Sequence, residues 1–87
     1  MNLSERRKEP RIAVQGEVEL RFEDPVRQQI RGELLDISSG GFRASHSYTA
    51  LHPGQEVDFR HDREKGRAKV MWNRIVEKTV ETGFLIL

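Results

Sequence analysis

The chain contains no cysteine. Neither a disulfide framework nor a thiolate metal site is available to staple it. It also lacks any apolar run long enough to span a bilayer, and its first ten residues, MNLSERRKEP, have no apolar core like that of a signal peptide. These absences predict a soluble, cytoplasmic protein with no membrane contact. Net charge is nearly absent too: a third of the residues are charged, yet the formal sum is only +1. Such a balance gives no bulk attraction to a polyanion. Aromatic residues number only six, one Trp, one Tyr and four Phe, and most fall in phase with apolar neighbours. A nucleic-acid-binding barrel needs a basic groove and exposed aromatics, so neither DNA nor RNA is expected as a partner. With 87 residues the chain is bounded to one small domain with a modest core.

The residue types that carry out catalysis are present but not arranged for it. His46, His52 and His61 are the only histidines, and none stands at the short spacing of a metal pair. They read as surface or turn histidines. Ser38 and Ser39 have no nearby His to act as base, and no nucleophile-elbow pattern surrounds them. Asp36 has no clear carboxylate partner for acid–base work. The glycines of SSGG are too few and wrongly placed for a phosphate-gripping loop. No catalytic residue, metal site or cofactor is expected, and no enzyme.

What the sequence does have is alternation. Ile12, Val14, Val18, Leu20 and Phe22 fall on even positions, the period of a half-buried strand. Gly16 takes the one small even position and predicts a bend or bulge. EDP makes a turn. Val26 to Ile37 reads as a second strand with Val26, Ile30 and Leu34 in phase; Leu35 and Ile37 fall out of phase, so this end is either covered on both sides or bulged. SSGG breaks it. Phe42 and Ala44 begin a third strand, Val57 and Phe59 a fourth, Ala68, Val70 and Trp72 a fifth. Val80, Thr82, Phe84 and Ile86 complete the set. Six short alternating segments separated by turn chemistry predict an all-β domain. At this length a small six-stranded antiparallel β-barrel is the economical form, because closure removes sticky edges. Trp72 shares the phase of Ala68 and Val70, so it reads first as a core aromatic. The alternative is a platform beside a flat ligand.

Residues 1–11 are different: SERRKEPR holds four Arg or Lys, two Glu and a Pro with no apolar periodicity. The division predicted is a flexible basic arm over 1–11 and a barrel domain over 12–87. Arg6, Arg7 and Arg11 lie close together on this arm. A guanidinium is planar, always charged and forked, so it grips a phosphate, pairs with guanine or stacks on a base. Asp36, in DISSGG, complements it. A carboxylate accepts from the donor edge of guanine, N1–H and the exocyclic amine. DISSGG by itself reads equally as a turn, since Asp and Ser bond their own backbone and Gly tolerates positive φ.

Taken in order, RRKEPR followed by DISSGG resembles the signature of PilZ domains, R-x-x-x-R and later [DN]-x-S-x-x-G. Here the first motif is Arg7 and Arg11 and the second Asp36, Ser38 and Gly41. LHPGQEVDF is similar to the family's L-x-x-G-x-x-V turn and strand, and GRAKVMW to its strand ending in V-x-W. The last strand reads Gly83-Phe84-Leu85-Ile86 where members often read G-x-x-F. The resemblance implies a β-barrel receptor for the bacterial second messenger cyclic di-GMP. Arg7 and Arg11 clamp phosphate and guanine, Asp36 and Ser38 hydrogen-bond a guanine, and Gly41 permits the turn that presents them. Ser39, Gly40 and Trp72 are secondary candidates. Arg6 stands immediately before the motif, where an arginine resembles the family version that takes two intercalated ligand molecules per chain. The expected mechanism is a switch: the arm folds over the ligand and makes a new surface for a downstream protein partner. A PilZ-like adaptor that binds only protein is the alternative. Either a monomer or a dimer is compatible with the sequence.

Overall fold

The structure, a computed structural model, describes residues 11–87. Arg6 and Arg7 lie outside the described residues. Seven antiparallel strands run β1 (Ile12–Ala13), β2 (Glu17–Glu23), β3 (Arg27–Ile37), β4 (Gly41–His46), β5 (Glu56–Arg60), β6 (Lys65–Val76) and β7 (Thr79–Ile86). No helix occurs among the described residues. The sheet order is β1-β3-β2-β5-β6-β7-β4, and β4 pairs back onto β3. The six longer strands therefore close a barrel. The two-residue β1 extends the pairing on the distal end of β3, beyond the reach of β2.

Alternation builds the core as expected. Val18, Leu20 and Phe22 of β2, Val57 and Phe59 of β5, and Phe84 of β7 point inward and are buried. Phe42 lies at the centre, stacked on Phe84 at 4.7 Å and tilted against Phe59 at 4.9 Å. Burying one such ring stabilises the fold by about 1.5–3 kcal/mol. Gly16, at φ +149°, interrupts the first run and separates β1 from β2, in the left-handed half of φ that glycine tolerates. Val26 is not in the core: it precedes β3 and is exposed, because the turn after β2 extends through it.

Two strands change phase, and both changes matter for function. In β3 the register with β4 shifts between Leu34 and Asp36. Leu34 faces the core; Leu35 is the extra residue; Asp36 then turns outward and Ile37 inward, against Phe42. In β6 the register with β7 shifts between Val70 and Trp72, with Met71 the extra residue. Trp72 therefore leaves the phase of Ala68 and Val70. It is not a core aromatic: it sits on the outer face with 37% of its surface exposed. A bulge adds one residue and flips every side chain beyond it.

Candidate functional site

The registers align five residues in one transverse row. Ala13 of β1 lies opposite Asp36 of β3, Asp36 opposite Arg43 of β4, Arg43 opposite Gly83 of β7, and Gly83 opposite Trp72 of β6. Directly opposed residues of antiparallel strands share a face. The row is thus a strip across the outside of the barrel, with a carboxylate near one end and an indole at the other.

Asp36 is 5% exposed although it faces outward, because two guanidinium groups cover it. Arg11 Nη1 donates to Oδ1 at 2.8 Å. From the other side, Arg43 donates to Oδ2 through Nε at 2.7 Å and through Nη2 at 2.6 Å. Hydrogen bonding to Asp36 raises the Arg43 pKa above its ordinary value despite partial desolvation. The charges continue along the strip. Arg43 Nη1 lies 3.7 Å from Glu81 Oε1, and Arg74 Nη2 binds the same oxygen at 2.6 Å. The Arg74 guanidinium carbon in turn sits 5.9 Å from the centre of the Trp72 ring. Signs alternate from Arg11 to Arg74, so each carboxylate is flanked by two cations.

Trp72 lies flat against Gly83. A Cβ there would collide with the indole, so glycine makes the seat. Gly41 is required for a similar reason rather than for a left-handed turn: its φ is not positive, and a Cβ would meet the Phe84 carbonyl oxygen across the β4–β7 pair. The turn before it is tied down on both sides. Ser38 donates to the Gly41 carbonyl from its amide at 2.8 Å and from its hydroxyl at 3.3 Å. The Gly40 carbonyl accepts from the Ile86 amide at 2.9 Å. Ser39 is exposed at the tip. The structure thus brings Arg11, Asp36, Ser38 and Gly41 to one edge of the barrel, with Trp72 three strands away along the same strip.

Behind the strip, a polar chain that is buried at His46 and Thr82 and reaches the surface at Asn73 joins the strands that present it. His46 of β4 lies 2.7 Å by Nε2 from the Thr82 hydroxyl of β7, which donates to Asn73 Oδ1 of β6 at 2.7 Å. Asn73 Nδ2 donates to the Leu51 carbonyl at 2.7 Å. His46 Nδ1 accepts from the Tyr48 amide at 3.1 Å. With Nδ1 accepting and the hydroxyl proton committed to Asn73, His46 is held as the neutral Nε2–H tautomer. Burial lowers its pKa. His61 is buried too, against Phe59 and Phe42, and burial is the main cause of its lowered pKa. Only His52 is the exposed turn residue that the sequence suggested for all three. No group of three or more potential metal ligands occurs among the described residues.

A second charged cluster lies across β2, β5 and β6. Arg60 and Arg21 both reach Glu19, and Arg67 bridges Asp58 at 2.9 Å and Glu56 at 3.2 Å. Exposed pairs of this kind contribute roughly 0–1 kcal/mol each. Glu19 is also flanked by two arginines, but its side chain is 15% exposed against 7% for Asp36.

Arg43, Glu81 and Arg74 were not singled out from the sequence. For Arg43 a signal existed. A hairpin around SSGG that pairs Ile37 with Phe42 also places Asp36 opposite Arg43.

The fold is a small closed barrel with an arginine-capped carboxylate on its outer face. Its N-terminal arginines, its D-x-S-x-x-G turn and its strand order belong together. A family model described as PilZ domain matches residues 5–85, nearly the whole chain, and the chain belongs to that family. No curated protein matches the chain significantly.

Proposed function

We propose that this protein is a cyclic di-GMP receptor that binds its ligand along the edge formed by Arg11, Asp36, Ser38 and Gly41, together with Arg6 and Arg7. Family membership supports the ligand class, since PilZ domains are generally linked to cyclic di-GMP. The single observation that carries the assignment to this strip is Asp36. It is a nearly buried carboxylate turned outward by a bulge and capped by Arg11, the second arginine of the R-x-x-x-R motif. A carboxylate among arginines suits a ligand that presents both amide-like donors and phosphates, as a guanine dinucleotide does.

In this reading guanine donates to Asp36, the arginines hold phosphate, and Trp72 is a stacking ledge at the far end. Ordering residues of the arm costs entropy, which the charge-assisted bonds offset. The covered strip, with the exposed Trp72 and Leu85 beside it, becomes the surface that a protein partner reads. The protein acts by binding rather than by catalysis, in the cytoplasm of a bacterium, where this messenger is made. Isothermal titration tests the assignment. Cyclic di-GMP should bind, Asp36→Asn should weaken it by about tenfold or more, and cyclic di-AMP should bind far more weakly because adenine lacks N1–H and the exocyclic amine. Equal affinity for the two dinucleotides would reduce Asp36 to a turn residue.

A further inference from the structure

Asp36 has room for only one more donor before any ligand arrives. A carboxylate offers about four lone-pair positions, two on each oxygen. Arg43 takes both on Oδ2, and Arg11 takes one on Oδ1. A guanine edge brings two N–H donors, so one arginine must yield. The two differ in how firmly they are held. Arg43 makes two short contacts to Asp36 and is drawn from behind by Glu81, which Arg74 fixes at 2.6 Å; its side chain is 32% exposed. Arg11 makes one contact, is 49% exposed, and stands next to a strand of only two residues. Each charge-assisted hydrogen bond contributes about 1.5–3 kcal/mol, so the singly bonded, exposed group is the cheaper one to release.

We infer that Arg43 is a positioning residue, pinned between Asp36 and Glu81 so that Asp36 presents Oδ1 to the ligand, and that Arg11 occupies Oδ1 in the free protein as a stand-in for the guanine N–H groups. On binding, Arg11 gives up Oδ1 and turns its guanidinium to phosphate, while Arg43 stays. Arg43 thus sets base discrimination without touching the ligand. This rests on the cyclic di-GMP reading above.

The test compares cyclic di-GMP with cyclic di-IMP, which keeps both phosphates and N1–H but lacks the exocyclic amine. Titrations are run on the wild type, Arg43→Ala and Glu81→Gln, with thermal melts to confirm that each is folded. The wild type should prefer cyclic di-GMP by about tenfold or more, the value of one hydrogen bond to a charged acceptor. In Arg43→Ala that preference should collapse to within about threefold, because Asp36 is no longer aimed. Glu81→Gln leaves Arg43 in place but unanchored, and should shift the preference in the same direction by less. A phosphate contact by Arg43, or simple loss of folded protein, would weaken both ligands equally and preserve the ratio; an unchanged ratio in both variants overturns the inference. So does a wild type that binds the two ligands equally tightly. A wild type that binds neither ligand refutes the cyclic di-GMP reading itself, and the inference falls with it.

Discussion

Thr82→Val removes one hydroxyl from the polar chain behind the strip and changes almost nothing else. Valine has the same branched shape, so no cavity opens; the loss is purely polar. Thr82 is fully buried, and its oxygen serves two partners at 2.7 Å, His46 Nε2 and Asn73 Oδ1. The two partners fare differently. Asn73 belongs to an exposed residue, so its oxygen regains water and the net loss is about 0.5–1.5 kcal/mol. His46 is 5% exposed, so its Nε2–H is left without a partner at a cost of about 1–3 kcal/mol. The added methyl returns up to about 0.8 kcal/mol. The balance is a destabilisation of about 2 kcal/mol. For a domain of this size each kcal/mol moves the melting temperature by about 4–8 °C, so Tm should fall by about 8–16 °C. Circular dichroism melts at pH 7.5 measure it. The effect should carry into function, because His46, Thr82 and Asn73 fix the strands bearing Arg43, Gly83 and Trp72, and ligand affinity should drop with no contact removed. A Tm within about 2 °C of the wild type would show that water satisfies His46 and that the chain holds nothing together.

Other outcomes follow from the same geometry. The lowered pKa values of His46 and His61 mean that the unfolded chain binds protons first, so stability is fully present above the ordinary histidine value of about 6.5 and declines as pH falls below it. Denaturant titrations from pH 7.5 to 5.5 should show this fall; a flat or rising stability refutes it. Gly83→Ala should push the indole of Trp72 off its seat. Because the chain has a single Trp, its fluorescence maximum should shift to the red, and loss of one stacked base, worth about 1–3 kcal/mol, should weaken cyclic di-GMP. An unmoved spectrum contradicts the seat. Wild-type protein should bind two molecules of cyclic di-GMP and Arg6→Leu only one, since two intercalated ligands bring together phosphates whose repulsion an extra guanidinium relieves. Calorimetric stoichiometry decides this, and two molecules in the variant would exclude Arg6.

The barrel was legible in the sequence because period-2 alternation is written directly in β2, β5 and β7, where each inward side chain is apolar or, at Thr82, small. The site was legible in part. Asp36, Ser38 and Arg11 carry motif spacing, and the structure places them together. Trp72 was misplaced because a bulge has no reliable signature: Met71 looks like any strand residue, yet it moves Trp72 from the inward set to the outward one. Leu35 left a trace, since it and Ile37 fall out of phase, but the same trace also fits a strand covered on both sides. Glu81 and Arg74 were missed because their meeting with Arg43 depends on the β4–β7–β6 register, which no single segment encodes. His46 and His61 were misjudged because what buries them is distant in sequence: Thr82 lies 36 positions from His46, and Phe42 packs on His61 from another strand.

The two bulges have a consequence for how this surface can be gained or lost. Counting along each strand by twos, Asp36 and Trp72 both occupy slots that simple alternation assigns to the interior. Each reaches the outside because the residue just before it stands outside the pairing, Leu35 in β3 and Met71 in β6. What reverses the destination of everything beyond is drawing Leu35 or Met71 into the ladder as an ordinary paired residue, with no change in chain length. Deleting Leu35 would still leave Asp36 outward, opposite Arg43, and Ile37 inward, opposite Phe42. Deleting Met71 would likewise leave Trp72 outward, opposite Gly83. The outer strip therefore tolerates a shorter strand better than a straightened one, because its identity lies in the register with the neighbouring strands and not in strand length.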